Sequence, residues 1–447
     1  MCAANEYIIH ILPCAHILCQ HLYLQNITQN YLQRYAETHD LVQCIRFGST
    51  VLSMEESLDE TKGNNIGWVL NIKSSTEKEY KIEFDYVVVC SGTFTNMKTL
   101  THPGQDKFDG IIKHSSEYKD ISADGLKGKD VVIIGGSKSA TDVAVHAALN
   151  GANQVTLVMR RNVWRVPRFV GGMINFKHVL YMRAQEIQFP SWKVSSAISL
   201  LLWYLLQPVI YINFIMLELL LIFQLGLKKY GMMPSTRIQD SVSCGIPIVT
   251  EGLVELIESG DILPINSTVK CYDQSNHLVL NDGKTVKADV VIQATGWHLG
   301  IPFLPNAVKD KLVDQKDGLF RLYRFAVNPL IPNIGFVGFN SSFCTVLSSE
   351  LLSQWLVRFV DGKLMNQKSS EEMGEEIDRL LTWKREVYPA SSIYKGNCIA
   401  PFHHLHFDEI LYDIGATIKS TAMFSYPTAK VYGKCIGSAP RYSVGSV

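Results

Sequence analysis

Residues 108–151 read FDGIIKHSSEYKDISADGLKGKDVVIIGGSKSATDVAVHAALNG, and the fold turns on their second half. Val131, Val132, Ile133 and Ile134 form a short apolar run, the pattern of a parallel strand buried on both faces. Gly135, Gly136, Ser137, Lys138, Ser139 and Ala140 follow. Apolar residues then recur at helical spacing (Val143, Ala144, Ala147, Ala148) until Gly151 ends the pattern. This is a strand, a tight turn and a helix. The first turn of such a helix offers unbonded N–H groups and the positive end of its dipole, which suits a pyrophosphate. Against the usual fingerprint G-x-G-x-x-G/A, Ser137 replaces the second glycine; its small hydroxyl still lets the backbone approach a phosphate and adds a donor. The competing reading is an ordinary strand-to-helix turn.

Working outward, residues 154–159 read as a second buried strand that ends at Arg160 and Arg161, about where a ribose-reading residue stands in such folds. An acid there selects NAD, whereas two arginines favour a 2′-phosphate. Two solvated arginines in a surface loop are the alternative. On the other side of the turn, Phe108, Gly110, His114 and Tyr118 spell Phe-x-Gly-x-x-x-His-x-x-x-Tyr. Two strings, DYVVVCSG at 85–92 and DVVIQATG at 289–296, each run a short apolar strand into a glycine.

With these motifs in this order, the chain resembles the flavin-containing monooxygenases, and in its second half most closely the plant-type members, from about residue 30 to near the C-terminus. Trp164, Pro167, Tyr230, Gly231, Pro234, Gly338, Phe339, Ser349, Glu350 and Trp355 fall where that family has similar residues. The resemblance implies an α/β flavoprotein with two dinucleotide-binding domains, parallel sheets and antiparallel meanders, and FAD and NADPH as cofactors. It makes the strings at 85–92 and 289–296 the crossovers between the two domains. NADPH then reduces FAD, the reduced flavin traps oxygen as a C4a-hydroperoxide, and a soft nucleophile such as an amine or sulfide takes the distal oxygen. Gly135, Ser137, Lys138, Ser139 and Ala140 are the implied NADPH pyrophosphate residues and Arg160 the 2′-phosphate residue. Ser91, Gly92, Thr295, Gly296 and Asn340 are implied at the flavin, and His114 and Tyr118 at the hinge between the cofactor domains. No direct catalytic residue is assigned. A Baeyer–Villiger-type or other NADPH-linked flavoprotein oxidoreductase, and a non-catalytic membrane-associated remnant, stay open as alternatives.

One departure stands out. Family members resemble one another in opening with a strand and a G-x-G-x-x-G turn for the FAD pyrophosphate, and the 447 residues contain no such string. The first 25 residues do not match the family. The expectation is therefore a partial FAD domain over 26–128 without its first βαβ unit, an NADPH domain over 129–296, a return to the FAD domain over 297–417 and a tail over 418–447. The strand YIIHIL at 7–12 fits the vacant strand position, but Pro13 and Cys14 follow it without a glycine turn. Alternating runs at 45–54, 67–73 and 80–84, and another at 268–287, predict small antiparallel meanders, and residues 28–38 and 348–360 predict helices.

Residues 194–225 carry a single charge, Glu218, long enough for a bilayer span. One crossing would put two halves of one domain on opposite sides of the membrane. The reading is an interfacial helix pair or shallow hairpin broken at Gln207 and Pro208 and anchored by Trp192, Trp203 and flanking lysines, with a buried or dimer-contact helix pair as the alternative. Lys plus Arg equals Asp plus Glu at 42 each, which gives no electrostatic case for nucleic acid. The ten cysteines form no C-x-x-C pair, which argues against a zinc ribbon and a redox dithiol, and makes a reducing compartment the default. With the apolar segment, this places the chain on the cytoplasmic side, at the endoplasmic reticulum membrane. No secretory signal is expected. Neither His10, Cys14, His16, Cys19 and His21 nor His403, His404 and His406 repeats a known ligand pattern, so no metal site is expected. Partners are a small-molecule substrate and oxygen, with an oligomer open.

Overall fold

The computed structural model describes residues 22–58, 65–92, 94–121, 125–176, 178, 183–189, 197–242, 245–273, 276–342 and 344–416. The strand expected at 7–12, the first histidine and cysteine cluster, Trp192 and the tail over 418–447 lie outside these residues. A helix at Leu22–Thr38 precedes the first meander, β1 (Thr50–Leu58), β2 (Asn65–Lys73) and β3 (Glu79–Phe84), antiparallel throughout. Period-two burial explains its register: Trp68, Leu70 and Ile72 alternate inward to one core with Met54. β4 (Val87–Val89) then pairs in parallel with the distant β17 (Ile334–Phe336), as the apolar run at 85–92 requires.

After β5 (Asn96–Met97), β6 (Ile111–His114), β7 (Asp130–Ile134) and β8 (Gln154–Met159) enter the main sheet. The short hairpin β9 (Phe169–Val170) and β10 (Ile174–Asn175) intervenes before β11 (Ile262–Asn266). The second meander is β12 (Val269–Asp273), β13 (His277–Leu280) and β14 (Thr285–Lys287), and β15 (Val290–Gln293) returns to the sheet before β16 (Trp297–His298). The order is β11-β8-β7-β15-β6, with every neighbouring pair parallel. All five residues of β7 are buried. Val131 and Ile133 face a core shared with the helix Lys138–Leu149, and Val132 and Ile134 face the second meander, so both sides of the strand are covered. The order reverses between β7 and β15, which puts a crevice at their C-terminal ends. β6 draws residues 111–114 into this sheet, so the sheet takes strands from both sides of residue 129.

The apolar segment departs from the expected pair. It is one continuous helix, Ala197–Gln224, with Pro208 inside it. Proline removes one N–H and crowds the preceding turn, but the helix is held from outside. Ile210, Phe214, Leu221 and the following Leu225 form a stripe buried in the β7 core. Glu218 on the same side accepts from Arg237 Nε at 3.0 Å and from Ile238 N–H at 2.8 Å. The remaining faces leave Leu205, Val209, Ile212, Met216, Leu219 and Phe223 exposed. A third core joins the helices Thr345–Val360, Ser370–Glu386 and His403–Asp413. Cys398 is disulfide-bonded, whereas Cys44, Cys90 and Cys271 are free thiols.

Candidate dinucleotide site

The turn after β7 is built by close packing. Gly135 has φ +148°, and a Cβ there would meet the Ala294 carbonyl oxygen at 2.3 Å, so the chain passes against the exit of β15 only as glycine. Its N–H donates to Val158 O at 2.9 Å, fixing the turn to β8 as well. Ser137 is the N-cap of the helix Lys138–Leu149, and its side chain makes no capping bond, leaving the hydroxyl available to a ligand. Ala140 is fully buried beneath. Ser139 is half-buried.

Lys138 takes a different direction. Its ammonium pairs with Asp142 one helical turn on and donates to Thr250 Oγ1 at 3.1 Å; Thr250 in turn donates to Asp142 Oδ1 at 2.6 Å. The lysine thus ties the helix to the chain around 250. Arg160 and Arg161 are exposed at the end of β8 and form no ion pair among the described residues. Their loop is adjacent to the turn: a Cβ on Gly136 would lie 3.2 Å from Arg161 O.

The string Phe108 to Tyr118 acts as a clamp. Phe108 packs edge-on against Tyr272, with ring centroids 5.2 Å apart. Gly110 admits no side chain, since a Cβ would meet Asp289 O at 2.5 Å. His114 ends β6, buried; its Nε2 lies 3.1 Å from Gly296 O and its Nδ1 lies 2.8 Å from Ser116 Oγ. A carbonyl only accepts, so Nε2 carries the proton and Nδ1 accepts. Burial lowers the imidazole pKa, while the Gly296 bond and Glu117 pull it back. Tyr118 Oη hydrogen-bonds His146 Nδ1 at 2.8 Å and so reaches the turn helix. His114 and Tyr118 therefore join β6 to the exit of β15 and to the helix of the turn.

At the two crossovers, Gly92 (φ +69°) and Gly296 (φ +86°) face open space. Ser91 is half-buried. Thr295 Oγ1 donates to Lys98 O, and Gln293, missed in the sequence, exchanges two bonds of 2.8 Å with the backbone of Leu100. Asn340 is buried before the helix Thr345–Val360. Its Nδ2 donates to Ser348 Oγ at 2.6 Å and lies 3.2 Å from His406 Nε2, while its Oδ1 has no hydrogen-bond partner among the described residues. His403, His404 and His406 take separate neighbours, Ser342, Glu186 and Asn340. Burial, and then His404, push the His403 imidazole down to about 3.

These residues fit a dinucleotide at the β7 turn: a helix N-cap without a side-chain capping bond, Gly135 with no room for a side chain, and two arginines beside it that form no ion pair among the described residues. For FAD the fit is incomplete. The open crossover glycines and the orphaned Asn340 Oδ1 suit the ring end, but the 447 residues hold no G-x-G string to cradle its diphosphate. Buried Arg165 and Asn397 were also missed; neither has a local pattern that separates it from surface residues.

Comparison with known proteins agrees with this geometry. A family model described as flavin-binding monooxygenase-like matches residues 19–427. The probable flavin-containing monooxygenase 1 of Arabidopsis thaliana is 30% identical over 439 residues, covering 90% of this chain and 81% of that protein. Dimethylaniline monooxygenase [N-oxide-forming] 4 of Homo sapiens is 28% identical, with 86% of this chain covering 63% of it. The S-allyl-L-cysteine S-oxygenase from Allium sativum superposes with a TM-score of 0.55 at 18% identity, covering 93% of this chain and 71% of that one, which establishes the shared fold. The turn, the crossovers and this match along nearly the whole chain lead to one conclusion: the protein is an enzyme of the flavin-binding monooxygenase-like family.

Proposed function

We propose that the enzyme uses NADPH, FAD and O2 to transfer one oxygen atom to a soft nucleophile, an amine or a sulfide, the second oxygen leaving as water and NADPH leaving as NADP+. The observation that carries the reading is the β7 turn, locked by Gly135 against Ala294, with Arg160 and Arg161 beside it. Bound FAD supplies the chemistry that accepts hydride and activates oxygen. The chain's own residues bind and orient. The Ser137 hydroxyl and the helix N-terminus hold the pyrophosphate, and Arg160 takes the 2′-phosphate through charge-assisted bonds. The neutral His114, bonded to Gly296 O, holds the crossover beside which the two cofactors meet. The names of the curated relatives support oxidation at nitrogen, and the Allium neighbour is an S-oxygenase by title. Incubation with NADPH, added FAD and, separately, dimethylaniline, a methyl sulfide and cyclohexanone tests this. N-oxide and S-oxide are the expected products. A lactone alone would move the enzyme to the Baeyer–Villiger class, and no NADPH oxidation with any of them would leave a non-catalytic protein.

The exposed side of the helix Ala197–Gln224 supports contact with a lipid surface. β8 and β11 flank this helix in sequence and pair in one sheet, which supports a helix that lies along a lipid surface over one that crosses it. The protein is expected to pellet with membranes on the cytoplasmic side and to be released by detergent but not by high salt. Complete recovery as a soluble monomer would show that this face needs no lipid.

A further inference from the structure

Beneath the β7 turn lies a cation that the family motifs did not single out. Arg165 is 1% exposed. Its Nη2 donates to Gly136 O at 2.6 Å and approaches Met159 Sδ at 3.7 Å, and its Nη1 donates to Val163 O at 3.3 Å. Nε has no partner. No carboxylate lies within ion-pair distance among the described residues. Two other buried cations meet burial differently. Arg324 is ringed by Glu376, Glu409 and Asp413. Lys384 is pushed down to about 7 by burial and can shed its proton. Burial also lowers Arg165, to about 10, which leaves it charged at neutral pH.

A buried charged group without a counter-ion is costly. This one donates to the Gly136 carbonyl, in the glycine turn just before the helix N-cap Ser137. In a planar trans peptide the carbonyl and the following N–H point in opposite directions. By drawing Gly136 O inward, the guanidinium turns the Ser137 N–H outward, toward the place where a phosphate approaches the helix N-terminus.

We propose that Arg165 is a positioning residue and the fixed buried charge of the dinucleotide site: it orients the Gly136–Ser137 peptide and supplies positive potential under the turn, which the pyrophosphate of a bound dinucleotide neutralises. The inference rests on the reading of this turn as a dinucleotide site. It differs from the role of Arg160 in a way that can be measured, because pyrophosphate is common to NADPH, NADH and ADP-ribose and the 2′-phosphate is not.

Arg165→Met, Arg165→Gln and Arg165→Lys are compared with the parent chain for binding of NADPH, NADH and ADP-ribose by calorimetry, and for melting with and without each ligand. Arg165→Met is expected to weaken all three ligands by about tenfold or more, to melt without ligand no lower than the parent, and to lose most of the ligand-induced rise. Arg165→Gln keeps a donor for Gly136 O without the charge and is expected to bind weakly; Arg165→Lys keeps the charge and recovers part of the affinity. Should Arg165→Met fail to fold, the Gln and Lys variants carry the comparison. Parent-like affinity in both neutral variants, or in Gln alone if Met is lost, would overturn the inference and leave the dinucleotide site standing. A parent chain that binds none of the three ligands at millimolar concentration would overturn both.

Discussion

At the scale of single residues, charge decides nucleotide choice and burial decides acid stability. Arg160 is exposed and forms no ion pair among the described residues, which under the proposed function leaves its guanidinium to a 2′-phosphate. Arg160→Ala is expected to weaken NADPH by about tenfold or more while leaving NADH nearly unchanged; equal losses measured for the two nucleotides would remove Arg160 from the site. His403 is held neutral in the fold by burial, its pKa carried from 6.5 down to about 3. Between those values the unfolded chain binds the extra proton and the folded chain does not. Stability from this residue is therefore complete above about pH 6.5 and is lost as the pH falls toward 3. Measured from pH 7 to pH 4, the melting temperature of the parent should fall further than that of His403→Phe, which has no imidazole to hold neutral. A constant gap would mean that His403 does not titrate this way.

At the scale of elements, the apolar helix Ala197–Gln224 has one face that belongs to the fold and others that do not. Leu221 is fully buried in the β7 core, so Leu221→Ala should cost about 2–5 kcal/mol of stability. Phe223, two positions away, is 88% exposed. Phe223→Lys should change stability by about 0.5 kcal/mol or less and reduce the fraction that sediments with vesicles. Chemical denaturation and vesicle sedimentation of the two variants check the pair; a Phe223→Lys protein that sediments like its parent would take this face out of membrane contact. Pro208 is a local breaker, which predicts a hairpin, yet the helix runs through it. The buried stripe from Ile210 to Leu225 and the Glu218 bonds to Arg237 and Ile238 are long-range terms that hold the helix through it.

At the scale of the whole molecule, the proposed function provides for the two cofactors unequally. The β7 turn is complete, whereas FAD is offered the β4–β17 pair and open glycines but no second glycine turn for its diphosphate. The purified 447-residue chain is accordingly expected to carry well under one FAD per chain by visible flavin absorbance, and one tightly held FAD per chain would overturn this. The sequence alone determined the strand-turn-helix at 130–149, the parallel strands before each crossover and both meanders, because hydrophobic period and glycine placement are local consequences of backbone geometry. It also located Arg160, since a strand end is a local feature. Only the tertiary structure turned Lys138 onto Asp142 and Thr250, left the Asn340 Oδ1 buried without a partner and placed Arg165 beneath Gly136. Each of these depends on what another segment brings to the same point in space, and the burial of a polar group is set by those neighbours rather than by its own position in the chain.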